Sequence, residues 1–470
     1  MTAYLEYLEF LRSKEARAPM RGLESVPALA EHLFPFQRAC VEFLLRAGSG
    51  GLFLDTGLGK TACELEWCRH AAEATNGCAL ILTPLAVARQ IEREGKRWGY
   101  EIRVIREQAD AGIGINVSNY DRLDRLDPSA FGAVALDESS ILKAFTGKTS
   151  QALRERFAGH RFRLSATATP APNDHMELGQ HAEFCGVMPS NEMLSRWFIT
   201  DQTEMGRYRL KRHGVSAFWD WMASWCRMAS MPSDLGDSDD RFVLPPMVTH
   251  RHRAAGTIKP EAGSLFAFDT VSATGMHARK RETAEARAKI AAEIVASEPS
   301  ESWVIWCDTD YEADAIMAAL FDAHAQIART GGIYEVRGSH PLERKESALA
   351  GFADGSVRVL VTKPSVCGFG LNWQHCARTV FVGRSFSYES WYQAIRRLWR
   401  FGQSREVECH LIVASGEDAI GRVIDRKAGD HASMKREMTA AMRRAMGKSE
   451  SVRIAYDPRH VGRLPTWFVA

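Results

Sequence analysis

Short apolar runs recur in two stretches of the chain, each run bounded by turn residues and followed by a charged segment of helical character. In the first stretch they fall at 51–54, 79–83, 115–117, 133–136 and 162–165. In the second they fall at 303–307, 333–336, 357–361, 379–382 and 407–412. Short continuous runs alternating with helical segments predict mostly parallel strands covered on both faces, so the expected fold class is α/β. Residues 171–290 break this rhythm. They are richer in Trp, Met, Pro and Arg and hold an acidic, turn-rich stretch from Asp234 to Asp240. Helices and loops appended to the first block are expected there. Phe218, Trp221, Met222 and Trp225 share one helical face, which marks them as core. Beyond residue 415 the pattern predicts two basic helices, at 415–425 and 431–446. The second gathers Met434, Met438, Ala441 and Met442 on one side. That face suits a brace docked back on a lobe; a calmodulin-target pattern is the other reading.

A chain of 470 residues exceeds one hydrophobic core. The expected division is 1–170, 171–290, 291–415 and 416–470, the last ending in an irregular tail. Apolar residues make up 45% and charged residues 25%, an ordinary soluble balance. No apolar stretch approaches the roughly 18 residues of a membrane span. The first residues lack a charged-then-apolar leader, so a cytoplasmic protein is expected. None of the ten cysteines is spaced Cys-x-x-Cys, which argues against a zinc ribbon and fits a reduced compartment. Net charge is only +2, but Lys and Arg concentrate at 207–212, 396–400 and 422–448. Local patches matter more than the total for gripping a phosphate backbone.

The first apolar run feeds into Asp55-Thr-Gly-Leu-Gly-Lys-Thr61. A strand ending in a glycine-bearing loop that closes with Lys and Thr wraps backbone N–H groups around phosphates. Thr56, Gly57, Leu58 and Gly59 form the cradle. Lys60 can reach the β- and γ-phosphates of ATP, and Thr61 can hold Mg²⁺. The strict pattern fails at one place, with Leu54 where glycine is wanted. Asp137-Glu138 follow the apolar run that starts at Phe131. There Asp137 can hold Mg²⁺, and Glu138 can orient and deprotonate an attacking water. Ahead of the loop, Phe34 and Gln37 suit stacking on adenine and pairing with its edge, although Phe34 and Phe36 suit a core equally well.

These segments, taken in order over roughly residues 31–405, resemble the SNF2-like branch of the superfamily 2 helicase-related ATPases. Leu33-Phe-Pro-Phe-Gln37 looks like its adenine-reading segment and Asp55 to Thr61 its motif I. Leu82-Thr-Pro-Leu85 with Gln90 looks like motif Ia, and Asn119-Tyr120 resembles the pair that follows it. Asp137-Glu-Ser-Ser140 looks like motif II, with two serines where Ala-His is usual. Ser165-Ala-Thr-Ala-Thr-Pro170, extended by Pro172-Asn173, resembles motif III, and Gly368-Phe-Gly-Leu-Asn372 resembles motif V. Gln393-Ala-Ile-Arg-Arg-Leu-Trp-Arg-Phe-Gly-Gln403 resembles motif VI, with Arg396 where the family usually has Gly.

The resemblance implies two tandem RecA-like lobes with ATP clamped between them. Arg397 and Arg400 would cross from the second lobe as arginine fingers. Ser165 and Thr167 would link the phosphate end of the cleft to the polynucleotide face. Gly368 and Gly370 would permit a close backbone approach, supported by Asn372. The partner implied is double-stranded DNA, gripped through phosphates without base reading near Pro84, Thr167, Thr362 and Lys363. The basic run Arg207, Arg209, Lys211 and Arg212 either faces DNA or is a solubilising surface. The compact core is similar to bacterial or phage members. Two alternatives stay open: a strand-separating DNA or RNA helicase, which needs a wedge that 171–290 would have to supply, and a non-hydrolysing, nucleotide-switched adaptor.

Overall fold

A computed structural model describes residues 18–84, 87–143, 147–172, 174–200, 208–255, 280–325, 332–367, 372–383, 387–414 and 418–447. Two parallel sheets dominate these residues. The first is built from β1 (Ser49–Leu54), β2 (Cys78–Thr83), β3 (Ile102–Val104), β4 (Gly114–Asn119), β5 (Ala133–Asp137), β6 (Phe162–Ala166) and β9 (Cys226–Ala229). Its order is β3-β4-β2-β5-β6-β1-β9. A small antiparallel pair, β7 (Phe198–Thr200) with β8 (Tyr208–Leu210), stands apart. The second sheet has the order β10-β15-β14-β11-β13-β12. Its strands are β10 (Met247–Ala254), β11 (Trp303–Trp306), β12 (Ile333–Val336), β13 (Val359–Thr362), β14 (Arg378–Phe381) and β15 (Val407–Ala414).

The central strands are apolar and buried at almost every position, as a sheet covered on both faces requires. Helices α1 (Pro35–Ala47), α2 (Lys60–Glu73), α3 (Ala88–Arg97), α4 (Lys148–Arg156) and α5 (Leu178–Phe184) lie along the first half of the chain. They are followed by α6 (Ser190–Trp197) and α7 (Val215–Ala223). The second half adds α8 (Ala284–Ser297), α9 (Asp310–Ala323), α10 (Leu342–Asp354), α11 (Pro364–Cys367), α12 (Tyr388–Ile395) and α13 (Asp418–Gly447). Phe218, Trp221, Met222 and Trp225 are all buried, as their spacing predicts.

The segment expected to be helices and loops needs correction. It gives an outer strand to each sheet: β9 pairs with β1, and β10 pairs with β15 over its whole length. It also holds the β7–β8 hairpin. These strands escape a pattern search because they are short or polar. β10 reads Met-Val-Thr-His-Arg-His-Arg-Ala and is largely exposed, as an edge strand tolerates.

The two expected C-terminal helices are one, α13. It leaves the second sheet and returns to the first. Met434, Met438, Ala441 and Met442 are buried in the first lobe's core, and Glu437 accepts a hydrogen bond from Trp219 Nε1 of α7 at 2.5 Å. The brace reading of this apolar face therefore matches the packing.

Candidate nucleotide site

Parallel sheets present their loops at the carboxyl ends of the strands, and ligands bind there. β1 ends at Leu54, which is fully buried and in register with Ala229 of β9. The position where the strict pattern wants glycine is thus a sheet residue, and the turn begins one residue later. Gly57 and Gly59 make it, with φ of 94° and 79°. Left-handed backbone explains glycine at both, and crowding adds to it. A Cβ on Gly57 would lie 2.9 Å from the Phe401 backbone nitrogen, and one on Gly59 would lie 2.2 Å from Gln37 Nε2. α2 starts at Lys60, so its free N–H groups face the loop. Lys60 Nζ rests on the Leu54 carbonyl at 3.1 Å.

β5 delivers the two acids. Asp137 Oδ2 accepts from Thr83 Oγ1 at 2.8 Å, and the Asp137 carbonyl accepts from Tyr120 OH at 2.7 Å. Burial, then the neighbouring Glu138, pushes the Asp137 carboxyl up to about 7. Glu138 has φ 51°, and no other described non-glycine residue has positive φ. Such a backbone costs on the order of 1 kcal/mol or more and is kept where the side chain's direction matters. Its Oε2 accepts from Thr167 Oγ1 at 3.4 Å.

The second lobe closes the other wall. α12 runs into Arg396, Arg397 and Arg400, and a cleft of about 470 Å³ lies between the lobes. Lys60, Thr61, Asp137 and Glu138 line it from one side, and Asn372, Arg397, Arg400 and Phe401 from the other. Burial lowers Arg397 against the pull of Glu138 and Asp137. Burial, then Arg397 itself, lowers Arg400 to about 9. One buried and one half-buried guanidinium facing one cavity suit a polyanion, whose charge would offset their mutual repulsion. A buried carboxyl beside a threonine, a lysine and these arginines also fits Mg²⁺ held with a triphosphate. The donors are hard oxygens, the set that ion prefers.

An aromatic group also lines the cleft. Phe34, Phe242 and Phe401 line the cleft, with Phe242 stacked on Phe401 at 4.8 Å and edge-on to Phe34 at 5.1 Å. Gln37 is buried, and its amide is partly spent within the protein. Its Oε1 accepts from Phe34 N at 3.0 Å and its Nε2 donates to the Leu58 carbonyl at 2.9 Å. One N–H and one lone pair are left over. Leu58 itself is buried and contributes that carbonyl. Asn372 Nδ2 reaches across the lobes to Glu94 Oε1 at 3.0 Å, an oxygen that Gln90 also bonds at 2.8 Å. Gly368, Gly370, Asn173 and Arg207 lie outside the described residues.

The Arg396 departure has a physical explanation. Its Nη2 donates to the Thr56 carbonyl at 2.9 Å and sits 3.4 Å from Asp55 Oδ1. Tyr392 OH donates to Asp55 Oδ1 at 2.5 Å, and Lys435 Nζ of α13 to Asp55 Oδ2 at 2.7 Å. The first residue of the phosphate loop is therefore clamped by the second lobe and the C-terminal helix. Burial opposes the Asp55 charge, but Arg396 and Lys435 outweigh it and hold this carboxylate far below the ordinary range.

An imidazole does stand beside the two serines that follow Glu138. Ser165 Oγ donates to Ser139 Oγ at 2.9 Å and lies 2.6 Å from His181 Nδ1 of α5. His181 Nε2 lies 2.9 Å from the Pro170 carbonyl. Burial lowers His181 to about 4, so the ring is neutral near pH 7. Its neutral tautomer carries the proton on Nε2, donated to Pro170, and accepts at Nδ1 from Ser165. Ser165 has one proton, so its donations to Ser139 and His181 alternate.

The expected polynucleotide contacts fare unevenly. The Thr362 Oγ1 is buried and donates to the Val336 carbonyl at 2.9 Å, so a phosphate contact there would fall to the backbone. Ser165 and Thr167 are equally buried. The Lys211 ammonium caps α6 through the Ser195 and Arg196 carbonyls, each at 2.8 Å. Lys363 is ion-paired with Asp310 at 2.8 Å. Arg209 and Arg212 are exposed, and Pro84 is half-buried at the end of β2.

Sequence reasoning missed Phe242, Phe401, Glu94, His181 and Lys435. Phe401 lies inside the segment 393–403, but its place in the pocket shows only in three dimensions, through Gly57 and Phe242. His181 and Lys435 sit on helices with no motif of their own.

No protein-family model matches the chain. A protein named p41 from Acyrthosiphon pisum secondary endosymbiont phage 1 is 25% identical over 469 residues, spanning 87% of this chain and 98% of that protein. A solved structure of S. cerevisiae Dbp5 bound to RNA and ADP BeF3 is similar with TM-score 0.56 at 13% identity, over 87% of this chain and 93% of that one. The Sulfolobus solfataricus SWI2/SNF2 ATPase core in complex with dsDNA gives TM-score 0.39 at 16% identity, over 87% and 97% of the two chains. The Dbp5 likeness shows the fold, two tandem RecA-like lobes. Among the described residues, no helix is long and apolar enough to cross a membrane.

Proposed function

We propose that this protein hydrolyses ATP and uses the cycle to move along double-stranded DNA without reading base sequence. One observation carries the proposal: Lys60, Asp137 and Glu138 of one lobe share a single cleft with Arg397 and Arg400 of the other. Lys60 and the loop amides hold the phosphates, and Phe34, Phe242, Phe401 and Gln37 hold the base. Thr61 and Asp137 are the residues that would hold Mg²⁺, which supplies charge neutralisation at the phosphates. Glu138 orients a water and takes its proton, and the two arginines stabilise charge on the transferring group. A site completed by both lobes ties closure to the presence of the γ-phosphate, and hydrolysis releases it. Thr167, bonded to Glu138, and the Ser139–Ser165–His181 chain lead from that cleft toward the Pro170 segment. Arg209 and Arg212 are the exposed cations offered to a DNA backbone. The likeness to p41 supports a bacterial or phage setting.

A second reading, strand separation, would draw its wedge from the segment that holds the antiparallel β7–β8 pair. Two assays divide the readings. Duplex translocation predicts ATP turnover stimulated by blunt duplex DNA and displacement of a third strand from a triplex. Unwinding of a forked duplex with no triplex displacement would favour the hairpin reading. Absence of ATP turnover with and without nucleic acid would leave only the adaptor.

A further inference from the structure

Away from the cleft, the outer edge of the second sheet gathers three histidines and a glutamate. β10 and β15 pair in parallel, with Val248 opposite Glu408 and His250 opposite His410. Side chains alternate along a strand, so Glu408 and His410 share one face of β15 while His250 and His252 share the same face of β10. The register therefore assembles the group from two strands far apart in sequence.

The distances are those of a coordination site. His250 Nε2 lies 3.4 Å from Glu408 Oε2, and His410 Nε2 lies 3.7 Å from the same oxygen. One ligand atom from each of the three residues falls within 4.8 Å of the others. A tetrahedral ion with bonds of about 2.0–2.1 Å sets its ligand atoms roughly 3.3–3.4 Å apart, so small side-chain rotations suffice. The surroundings orient the donors as an outer shell does. Arg378 Nη2 holds Glu408 Oε1 at 3.2 Å, which leaves Oε2 facing the imidazoles. His252 Nε2 lies 2.9 Å from His410 Nδ1, which turns the His410 Nε2 lone pair toward Glu408. The His250 and His410 rings stack at 4.7 Å.

We propose that His250, Glu408 and His410 bind a divalent transition-metal ion of the zinc class, with His252 as the positioning residue behind His410. Two imidazoles and one carboxylate select such an ion over Mg²⁺ or Ca²⁺, which take all-oxygen sets. Three protein ligands leave a fourth position for water. The ion pins β10, the edge strand through which the chain enters the second lobe, to β15. This site is separate from the nucleotide cleft in position and in metal preference.

The test uses the full chain, stripped with a chelator and titrated with Zn²⁺ by calorimetry in excess Mg²⁺, and with Co²⁺ by visible absorption. One equivalent of Zn²⁺ is expected, with a tetrahedral Co²⁺ spectrum and a raised melting temperature. His250→Ala and Glu408→Gln should each weaken Zn²⁺ binding at least ~10-fold, and His252→Gln about 10-fold through its effect on His410. Asp137→Asn should leave it unchanged. Circular dichroism of each variant before titration checks that it is folded, and the milder His252→Gln serves if a ligand variant is not. No Zn²⁺ uptake by folded wild-type protein overturns the proposal. So does uptake that survives both ligand substitutions, or that is lost only in Asp137→Asn.

Discussion

Lys435 offers the sharpest test of how the C-terminal helix acts on the phosphate loop. Its ammonium is nearly buried, 2.7 Å from Asp55 Oδ2 and 3.2 Å from Tyr392 OH. Lys435→Met keeps the aliphatic stem and removes the charge. Asp55 then keeps Arg396 and Tyr392, so the loss is that of a charge-assisted hydrogen bond, about 1.5–3 kcal/mol. Removing Arg396 as well strands a buried carboxylate, for which about 3–5 kcal/mol is expected. Arg396 and Tyr392 reach Asp55 from the second lobe, whereas Lys435 reaches it from the part of α13 docked on the first; α13 issues from the second sheet, so only part of the cost falls on closure of the cleft. At about 1.4 kcal/mol per tenfold, this bounds the fall in the closure equilibrium of Lys435→Met at roughly 100-fold, with Arg396→Met, which cuts a contact between the lobes, expected to lower it more. Small-angle scattering with and without a non-hydrolysable ATP analogue measures closure, and the KM for ATP should rise in step with the open fraction. The cycle Lys435→Met, Arg396→Met and the double variant should show coupling above ~0.5 kcal/mol. Additive effects, or wild-type scattering and KM in the double variant, would refute the clamp.

Two further outcomes follow from buried groups near the site. Glu64 of α2 is fully buried with neither oxygen hydrogen-bonded, and burial, then Asp137, pushes its carboxyl well above the ordinary range. With the folded value raised, its protonated form contributes stability in full below the unfolded value of about 4.3, and this is lost as pH rises, by about 1.4 kcal/mol per unit. Glu64→Gln should therefore gain on the wild type between pH 5 and 8 in urea unfolding, and equal slopes would show that the carboxyl is not held neutral. His181→Ala should leave basal ATP turnover intact and lower its stimulation by duplex DNA, because Ser165 loses its partner while the cleft keeps its lining. Unchanged stimulation would reduce His181 to a packing role.

The central strands were legible because they are buried on both faces and so read as unbroken apolar runs; β11 falls at 303–306, within the expected 303–307. Polar edges were not legible. β10 alternates His and Arg and becomes a strand only because β15 lies beside it. The lobe-one chemistry was readable because loop and acids each follow an apolar strand. Arg397 and Arg400 needed the family resemblance, since nothing local says that a helix end will face a loop more than three hundred residues earlier. Arg396 shows the limit most clearly. Its departure from glycine had no account in the sequence, because Asp55 and Lys435 meet it only in three dimensions.

The most direct test is Arg400→Ala, measured for nucleotide binding and for hydrolysis in the same preparation. A composite site predicts that a fluorescent ATP analogue still binds while single-turnover hydrolysis falls by at least ~10³. Hydrolysis near the wild-type rate would contradict a site completed by the second lobe.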